Sequence, residues 1–521
     1  MVDLEAIRHV ADIPKVQAAA RGGDVAIMFE GRATTYAELD ARSSQVARAL
    51  AATAAEPGAR IGVLSKNHDR WYELFFGAAL ARACLTPINC RLSPPEIAYI
   101  LEDSAPAVLF VGADFLSMAA ALVKALVNPP LLVALYGSHP GFLDFAAWRD
   151  GGTAAPAQSP PRSDDDVLQL YTSGTTGRPK GVILRDRNYA RFLEMIGKVD
   201  GFAYEARQSV MIVMPLFHVA GTNISIAGLA QGSRIVLVQD FNPVAVIDTM
   251  IDEAIHHTFL APAMILMMLQ SPNMAGARFD RLQTIAYGAS PISLDVLTRA
   301  QAGFSCGFVQ FYGMTESCGA GTYLSPADHA LPEKLTSCGR PWPEVEVAVV
   351  DPSGRVVADG EIGEIVIKGD IVMEGYWKNP AATEEAVVEG WLHTGDAGLR
   401  DADGFFYVHD RMKDMIVSGG ENVYPAEVEN AIFGCPGVAD VAVIGIPSER
   451  WGEEVKAMVV VVPGAAPTEA AVIAWARAHI ASFKAPKSVD FVEVLPRNAS
   501  GKVLRRALRA PYWAGRERSV A

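Results

Sequence analysis

Residues 171–181, YTSGTTGRPKG, place three glycines, one proline, four aliphatic hydroxyls and two cations directly after an apolar run, Val167 to Leu170. An apolar VIL follows. Glycines in such a loop let successive backbone N–H groups turn inward. A nest of that kind binds anions, Ser and Thr hydroxyls add donors, and Lys180 supplies a point charge for phosphate. The physical reading is a polyphosphate cradle, although the same composition also suits a solvent-exposed turn. Counted from Gly174 the spacing is GxxGxxKG, which is neither GxxxxGK[ST] nor GxGxxG. It also lacks the GxSxG elbow of serine hydrolases.

At 521 residues the chain exceeds one compact core, so two or more domains are expected. Thr35 and Glu38 have capping-box spacing, and Tyr36, Leu39, Val46, Ala47 and Leu50 continue with helical periodicity. The polar TAAPAQSPPRSDDD ahead of the glycine-rich loop reads as a surface connection. Strand-like SVMIVMP and RIVLVQ alternate with helix-like PVAVIDTMIDEAI, which predicts α/β layers with largely parallel sheet. Near residue 340 the texture changes to short strands with Gly turns, VEVAVVD, EIGEIVIKG and GFFYVHD, which reads as a small β-subdomain. A compact α+β tail follows DRMKDMIVSGGENVYP, with strands in VADVAVIGIP, KAMVVVVP and VDFVEVLP and a helix near 468–482. The main boundary is placed near residue 411.

The balance of 50% hydrophobic and 20% charged residues is that of a soluble globular chain. A net charge of -14 argues against a general binder of nucleic acid or anionic membranes. Six scattered cysteines form no CxxC pair, so no zinc or redox motif is visible and reduced thiols in a cytoplasmic protein are expected. The opening MVDLEAIRHV reads as no signal peptide, and no apolar stretch reads as a membrane span.

YTSGTTGRPKG closely resembles the phosphate loop of the adenylate-forming enzymes, which include acyl-CoA synthetases, aryl-CoA ligases, adenylation domains and luciferases. Further motifs follow in the family's order: PLFHVAG at 215–221, YGAS at 287–290, QFYGMTES at 310–317, WLHTGD at 391–396, DRMKDMIVSGGENVYPAEVE at 410–429 and PRNASGK at 496–502. The resemblance covers nearly the whole chain. It implies ATP-dependent activation of a carboxylic acid as acyl-adenylate, then displacement of AMP by a thiol, usually that of CoA. Two anions must meet in the first half, which requires donors and cations where charge accumulates.

On this resemblance Thr172, Ser173, Gly174, Thr175, Thr176, Gly177 and Lys180 would grip the β- and γ-phosphates, with Arg178 either helping or solvated. Gly288, Ala289 and Ser290 would let adenine approach the backbone, in a turn before a helix beginning near Pro291. Gln310, Phe311, Tyr312 and Gly313 complete the nucleotide wall, with the Tyr312 ring on adenine. Thr315 would donate to the α-phosphate, and Glu316 matches the family's Mg2+ carboxylate. Asp396 and Arg411 would hold the ribose, whereas Asp401 and Asp403 of the DADG turn read as solvated. Lys502 is the expected catalytic cation, delivered by a mobile C-terminal domain. Arg505, Arg506 and Arg509 after it read as a solvated charge run. The resemblance therefore divides the chain into an adenylate-forming domain at 1–410, a hinge at 411–413 centred on Lys413, and a mobile domain at 414–521. Gly419 and Gly420 would line the thiol channel. Trp451, Phe483 and Lys487 match CoA-facing positions of some aryl-CoA ligases, although Ala485 replaces a basic residue found in some of them.

The acid pocket implied by the resemblance comprises His218, Val219, Ala220, Gly221, Thr222, Tyr287, Gly313 and Met314, with His218 as gate. Amino-acid-activating relatives carry an Asp in an FD pair here. Phe217-His218 disfavours an amino acid, and the nineteen residues after Lys502 read as too few for a carrier domain. Missing bulk at Ala220 and Gly221 would deepen the pocket for an alkyl chain, while Thr222 and Asn223 would suit a substituted ring. The Met-rich APAMILMMLQ suits either a variable apolar wall or plain core. The sequence leans to a CoA ligase for a medium- or long-chain acid. An aryl or cyclic acid, a separate carrier protein as acceptor, and a non-catalytic nucleotide-binding regulator are the alternatives. A homodimer is left open.

Overall fold

The computed structural model describes residues 6–53, 56–152, 160–172, 178–418, 421–497 and 502–514, without the Lys413 side chain. Ser173, Gly174, Thr175, Thr176, Gly177, Gly419 and Gly420 lie outside the described residues, as does the first half of the connection before the loop. Among the described residues the strands form four sheets of nine, eight, five and five strands.

Local chemistry starts the elements. Thr35 accepts from the Glu38 N–H and Glu38 bonds back, which caps the helix Tyr36–Ala52. The helix buries Tyr36, Leu39, Val46, Ala47 and Leu50 on one face. The nine-stranded sheet runs parallel through Val25–Phe29, Arg234–Leu237, Ser209–Ile212, His257–Leu260, Thr284–Gly288 and Gly307–Tyr312. The eight-stranded sheet is parallel from Leu143–Asp144 to Asp166–Thr172, then turns antiparallel through Lys180–Arg185 to Gly375–Tyr376. The inner strands Arg60–Leu64, Cys84–Ile88, Val108–Val111, Ser209–Ile212 and His257–Leu260 are buried along their whole length, which explains their mostly apolar sequence. The expected largely parallel α/β layering is therefore found.

The expected β-subdomain is the antiparallel sheet of Glu346–Val350, Gly363–Lys368, Trp391–Arg400 and Phe406–Arg411. The tail is α+β: Val438–Ser448 and Gly452–Val461 form its long hairpin, flanked by the helices Pro425–Phe433 and Glu469–His479.

Three sequence expectations change. The helix expected near Pro291 starts at Leu294, where Ser293 caps it. Asp401 and Asp403 are not simply solvated: both accept from Lys334 Nζ, at 2.8 and 2.6 Å, and Asp401 also accepts from the Phe405 N–H. In the run at 505–509 Arg506 is exposed as expected, but Arg505 and Arg509 are not solvated. Arg505 donates to both Glu429 oxygens at 2.8 Å, and Arg509 pairs with Asp414 at 2.8 Å.

Candidate active site

The site forms where the eight-stranded sheet, the nine-stranded sheet, the β-subdomain and the C-terminal segment meet. Thr172 and Lys180 are cross-strand partners at the ends of the two strands that carry the glycine-rich motif. Lys180 Nζ lies 4.7 Å from the Tyr376 ring centroid. The Tyr376 hydroxyl donates to Glu316 Oε1 at 2.9 Å. A cavity of about 380 Å3, lined among others by Arg178, Lys180, Trp377 and Lys378, opens beside Lys180. Arg178 itself sits over the Tyr99 ring.

Beyond Glu316 the nucleotide wall continues. The Tyr312 hydroxyl donates to Asp396 Oδ2 at 2.8 Å, and Arg411 Nε pairs with Asp396 Oδ1 at 2.8 Å. Arg411 Nη1 also donates to the Thr394 carbonyl. An ionised carboxylate has about four acceptor positions, so Asp396 keeps capacity for further hydroxyls. Lys502 is near enough to Arg411 and Asp396 for both charges to act on its ammonium, so a C-terminal residue approaches the pair that Tyr312 bonds. Burial first, then the Arg411 charge, pushes its ammonium down to about 8. Thr315 sits partly exposed at the start of a short 3-10 turn whose next residue is Glu316.

Among the described residues no cluster of three His, Cys, Asp or Glu side chains could cage a metal. A single buried carboxylate, Glu316, nevertheless fits Mg2+, which takes one or two carboxylates and completes its shell with phosphate oxygens and water.

His218 begins the helix Val219–Ala230 as its N-cap. Its Nε2 is buried with no hydrogen-bond partner among the described residues, and burial pushes its pKa down to about 4, with Arg91 adding to the shift. It is therefore neutral at pH 7. The helix start packs against the turn after Met314: a Cβ at Gly319 would stand 3.5 Å from Val219, and one at Gly313 would stand 2.6 Å from Gly319. Val219, Gly313, Met314 and His218 are thus gathered around one loop.

Several other expected residues pack or bond against protein. A Cβ at Gly221 would meet the Pro215 carbonyl at 2.4 Å, so its small size admits backbone and opens no pocket. Thr222 and Asn223 bond the Leu216 and Cys318 carbonyls rather than facing an open ring site. A Cβ at Gly288 would meet the Phe311 carbonyl at 2.3 Å, while Ala289 is exposed with φ +67 and Ser290 follows it. The Phe311 ring packs with Phe202, Phe259 and Trp342, and its backbone lies in the sheet between Gly288 and Tyr323. The Tyr287 hydroxyl is taken up by Gln310 and His329. Met264, Ile265 and Met268 of the Met-rich segment are core. Trp451, Phe483 and Lys487 lie in surface connections of the C-terminal part, and Ala485 is fully buried there as a packing residue.

Sequence reasoning missed Tyr376, Thr394 and Asp410. Tyr376 bridges Lys180 to Glu316, but a lone Gly-Tyr pair in a two-residue strand carries no periodic or motif signal.

Lys180 and Glu316 joined by Tyr376, with the Tyr312-bonded Asp396–Arg411 pair, make a side-chain set of the kind that nucleotide-dependent, adenylate-forming enzymes carry. The family described as AMP-binding enzyme matches residues 15–377, its C-terminal domain matches residues 427–502, and the chain belongs to this family. It is 38% identical over 499 residues to the fatty acid–[acyl-carrier-protein] ligase ScoC of Streptomyces coeruleorubidus, which covers 95% of each chain. It is 37% identical to a feruloyl-CoA synthase of an Amycolatopsis species, over 94% of this chain and 96% of that one. A solved Mycobacterium tuberculosis fatty acyl CoA synthetase superposes with a TM-score of 0.76 at 33% identity, covering 98% and 99%.

Proposed function

We propose that this AMP-forming acid–CoA ligase takes a medium- or long-chain fatty acid and transfers the acyl group to CoA. The likeness to a solved fatty acyl CoA synthetase supports the acid and the acceptor, and the Asp396–Arg411 pair, with Lys502 close enough to feel both charges, supports the adenylating half.

In the first half-reaction a carboxylate oxygen attacks the α-phosphorus and pyrophosphate leaves. Lys180, with Thr172 and the loop residues Ser173 to Gly177, holds the β- and γ-phosphates. Mg2+, held by Glu316, neutralises phosphate charge when bound. The Lys502 ammonium and the Thr315 hydroxyl stabilise the charge that builds on the α-phosphate oxygens and the entering carboxylate. Asp396 and Arg411 fix the ribose, Tyr312 faces adenine, and Gly288, Ala289 and Ser290 line the base. His218, neutral and with an unpaired nitrogen, closes the acid pocket without adding a second charge there. In the second half the CoA sulfur attacks the acyl carbonyl, the thiol proton is lost, and AMP leaves. The small domain (414–521) turns about 411–413, at Lys413, to bring the channel of Gly419 and Gly420 and the surface residues Trp451, Phe483 and Lys487 to the thiol.

Separate apolar cores support this division into lobes. No helix among the described residues is long and apolar enough to cross a membrane, and the six cysteines are unpaired, which supports a cytoplasmic place. A homodimer belongs to the same proposal.

Two readings have specific support from relatives: an aryl acid, from the feruloyl-CoA synthase, and a carrier-protein acceptor, from ScoC. The test supplies ATP, Mg2+ and saturated C6 to C18 acids together with cinnamic acids, offers CoA or an acyl carrier protein, and reads thioester mass. Fatty acyl-CoA as the main product is expected. Preference for a cinnamate overturns the acid, and product only on the carrier protein overturns the acceptor.

A further inference from the structure

Asp410 closes the strand Phe406–Arg411 one residue before its end, held in the β-subdomain sheet opposite Ala397. Its carboxylate is buried and turned toward the C-terminal part. Oδ2 accepts from the Ala426 N–H at 3.0 Å, in the first turn of the helix Pro425–Phe433, whose N-cap Tyr424 offers no side-chain cap. Oδ1 meets Arg505 Nη1 at 3.5 Å. Arg505 stands three residues after Lys502 and opens the helix Arg505–Arg509. Its other partners, Glu429 at 2.8 Å and Asp414 at 3.9 Å, lie on its own side of residues 411–413. A turn about those residues keeps Arg505 with Glu429 and Asp414 but carries Arg505 and Ala426 away from Asp410. The Asp410 contacts therefore belong to the arrangement that holds Lys502 in the cleft.

We propose that Asp410 is a positioning residue for adenylation: it latches the small domain, through Ala426 and Arg505, in the pose that presents Lys502 to the α-phosphate. The inference rests on the role proposed above for Lys502. Asp410 touches no substrate, so it acts on one half-reaction only. Charge-assisted hydrogen bonds of this kind are worth enough to change a step by roughly 10- to 100-fold.

The test compares wild type, Asp410→Asn, Asp410→Glu and Lys502→Ala, using whichever acid of the panel turns over fastest. ATP–pyrophosphate exchange reads adenylation, and thioester formation from supplied acyl-adenylate reads the second half. Asp410→Asn is expected to lower kcat for exchange roughly 10- to 100-fold with little change in KM for ATP. It should spare the second half, and Asp410→Glu should recover part of the loss. Unchanged exchange, or equal loss of both halves, overturns the latch. Exchange retained by Lys502→Ala overturns the underlying role of Lys502 and the latch with it, whereas exchange lost in Lys502→Ala but kept in Asp410→Asn overturns the latch alone. If Asp410→Asn does not fold, Arg505→Lys replaces it. That variant keeps the charge for Glu429 but shortens the reach to Asp410, and the same step-selective loss is expected, with its absence overturning the proposal.

Discussion

In the role proposed for it Lys502 must be charged to stabilise two meeting anions, yet burial and Arg411 pull its ammonium down to about 8, with Asp396 opposing them. The charged form holds below that value. Adenylation read by ATP–pyrophosphate exchange should therefore have a kcat/KM that is flat below about pH 8 and falls roughly tenfold per unit above it. Lys502→Arg, which stays charged at these pH values, should lose that limb whatever its absolute rate. An unchanged limb in Lys502→Arg would assign the titration to another group. Gly221 offers a second residue-scale contrast. Since a Cβ there would press on the Pro215 carbonyl at 2.4 Å and the Met214 carbonyl at 2.8 Å, Gly221→Ala should destabilise by about 1–3 kcal/mol, as overpacking does. Thermal melting would show the loss, and the chain-length profile of the acid panel should stay unchanged. A shifted profile with an unchanged melt would return Gly221 to the acid pocket.

At the scale of elements, the strand Phe406–Arg411 and the helices Pro425–Phe433 and Arg505–Arg509 meet in one buried cluster of charge. Burial pushes the Asp410 carboxyl up to about 6 although Arg505 pulls it down. An acid whose folded pKa lies above its unfolded value stabilises the fold below the unfolded value, and that contribution is lost as pH rises through the folded one. Burying the charged Asp410 thus costs the fold at pH 7.5, and the Arg505 contact offsets part of that cost in this pose. Asn removes that cost while keeping an acceptor for the Ala426 N–H. Asp410→Asn should melt no lower than wild type at pH 7.5, with the difference closing toward pH 5, as scanning fluorimetry would show. A melt lowered by several degrees at pH 7.5 would mean that the carboxylate stabilises the fold. The same cluster marks where sequence stops being informative. The capping box at Thr35 and Glu38 was legible because both partners lie within one turn. Glu316, Asp396 and Lys502 were legible through motifs, although motif alone says nothing of their geometry. Arg505 read as solvent-facing because its partners are Asp410, Asp414 and Glu429, far away in sequence. Tyr376 escaped for the same reason, since its neighbours Lys180 and Glu316 come from other strands and turns.

The whole molecule is built on separate apolar cores. Two lie before residue 411, the larger joining the sheets and the smaller built around Leu64, Ile88, Ile100 and Leu109, and two draw on residues from Ile416 onward, with Phe433 touching both sides. Polar and charged contacts near the 411–413 segment, including the Asp396–Arg411 pair and the Asp410 contacts, carry much of what joins them. Such contacts can be exchanged without exposing a large apolar surface, which is what a small domain serving two half-reactions from one cleft requires. It also predicts that the lobes unfold separately. Calorimetry of the full chain without ligand should show two transitions. On the proposed site a non-reactive acyl-sulfamoyl adenosine would touch both lobes, through Tyr312 and Asp396 and through Lys502, so at one hundred times its Kd it should stabilise the bound state by about 2.7 kcal/mol and raise both transitions. Lys502→Ala should keep the rise in the large lobe and lose it in the small one. If the small-lobe transition rises equally in wild type and Lys502→Ala, the lobes are joined through contacts other than the lysine in the cleft.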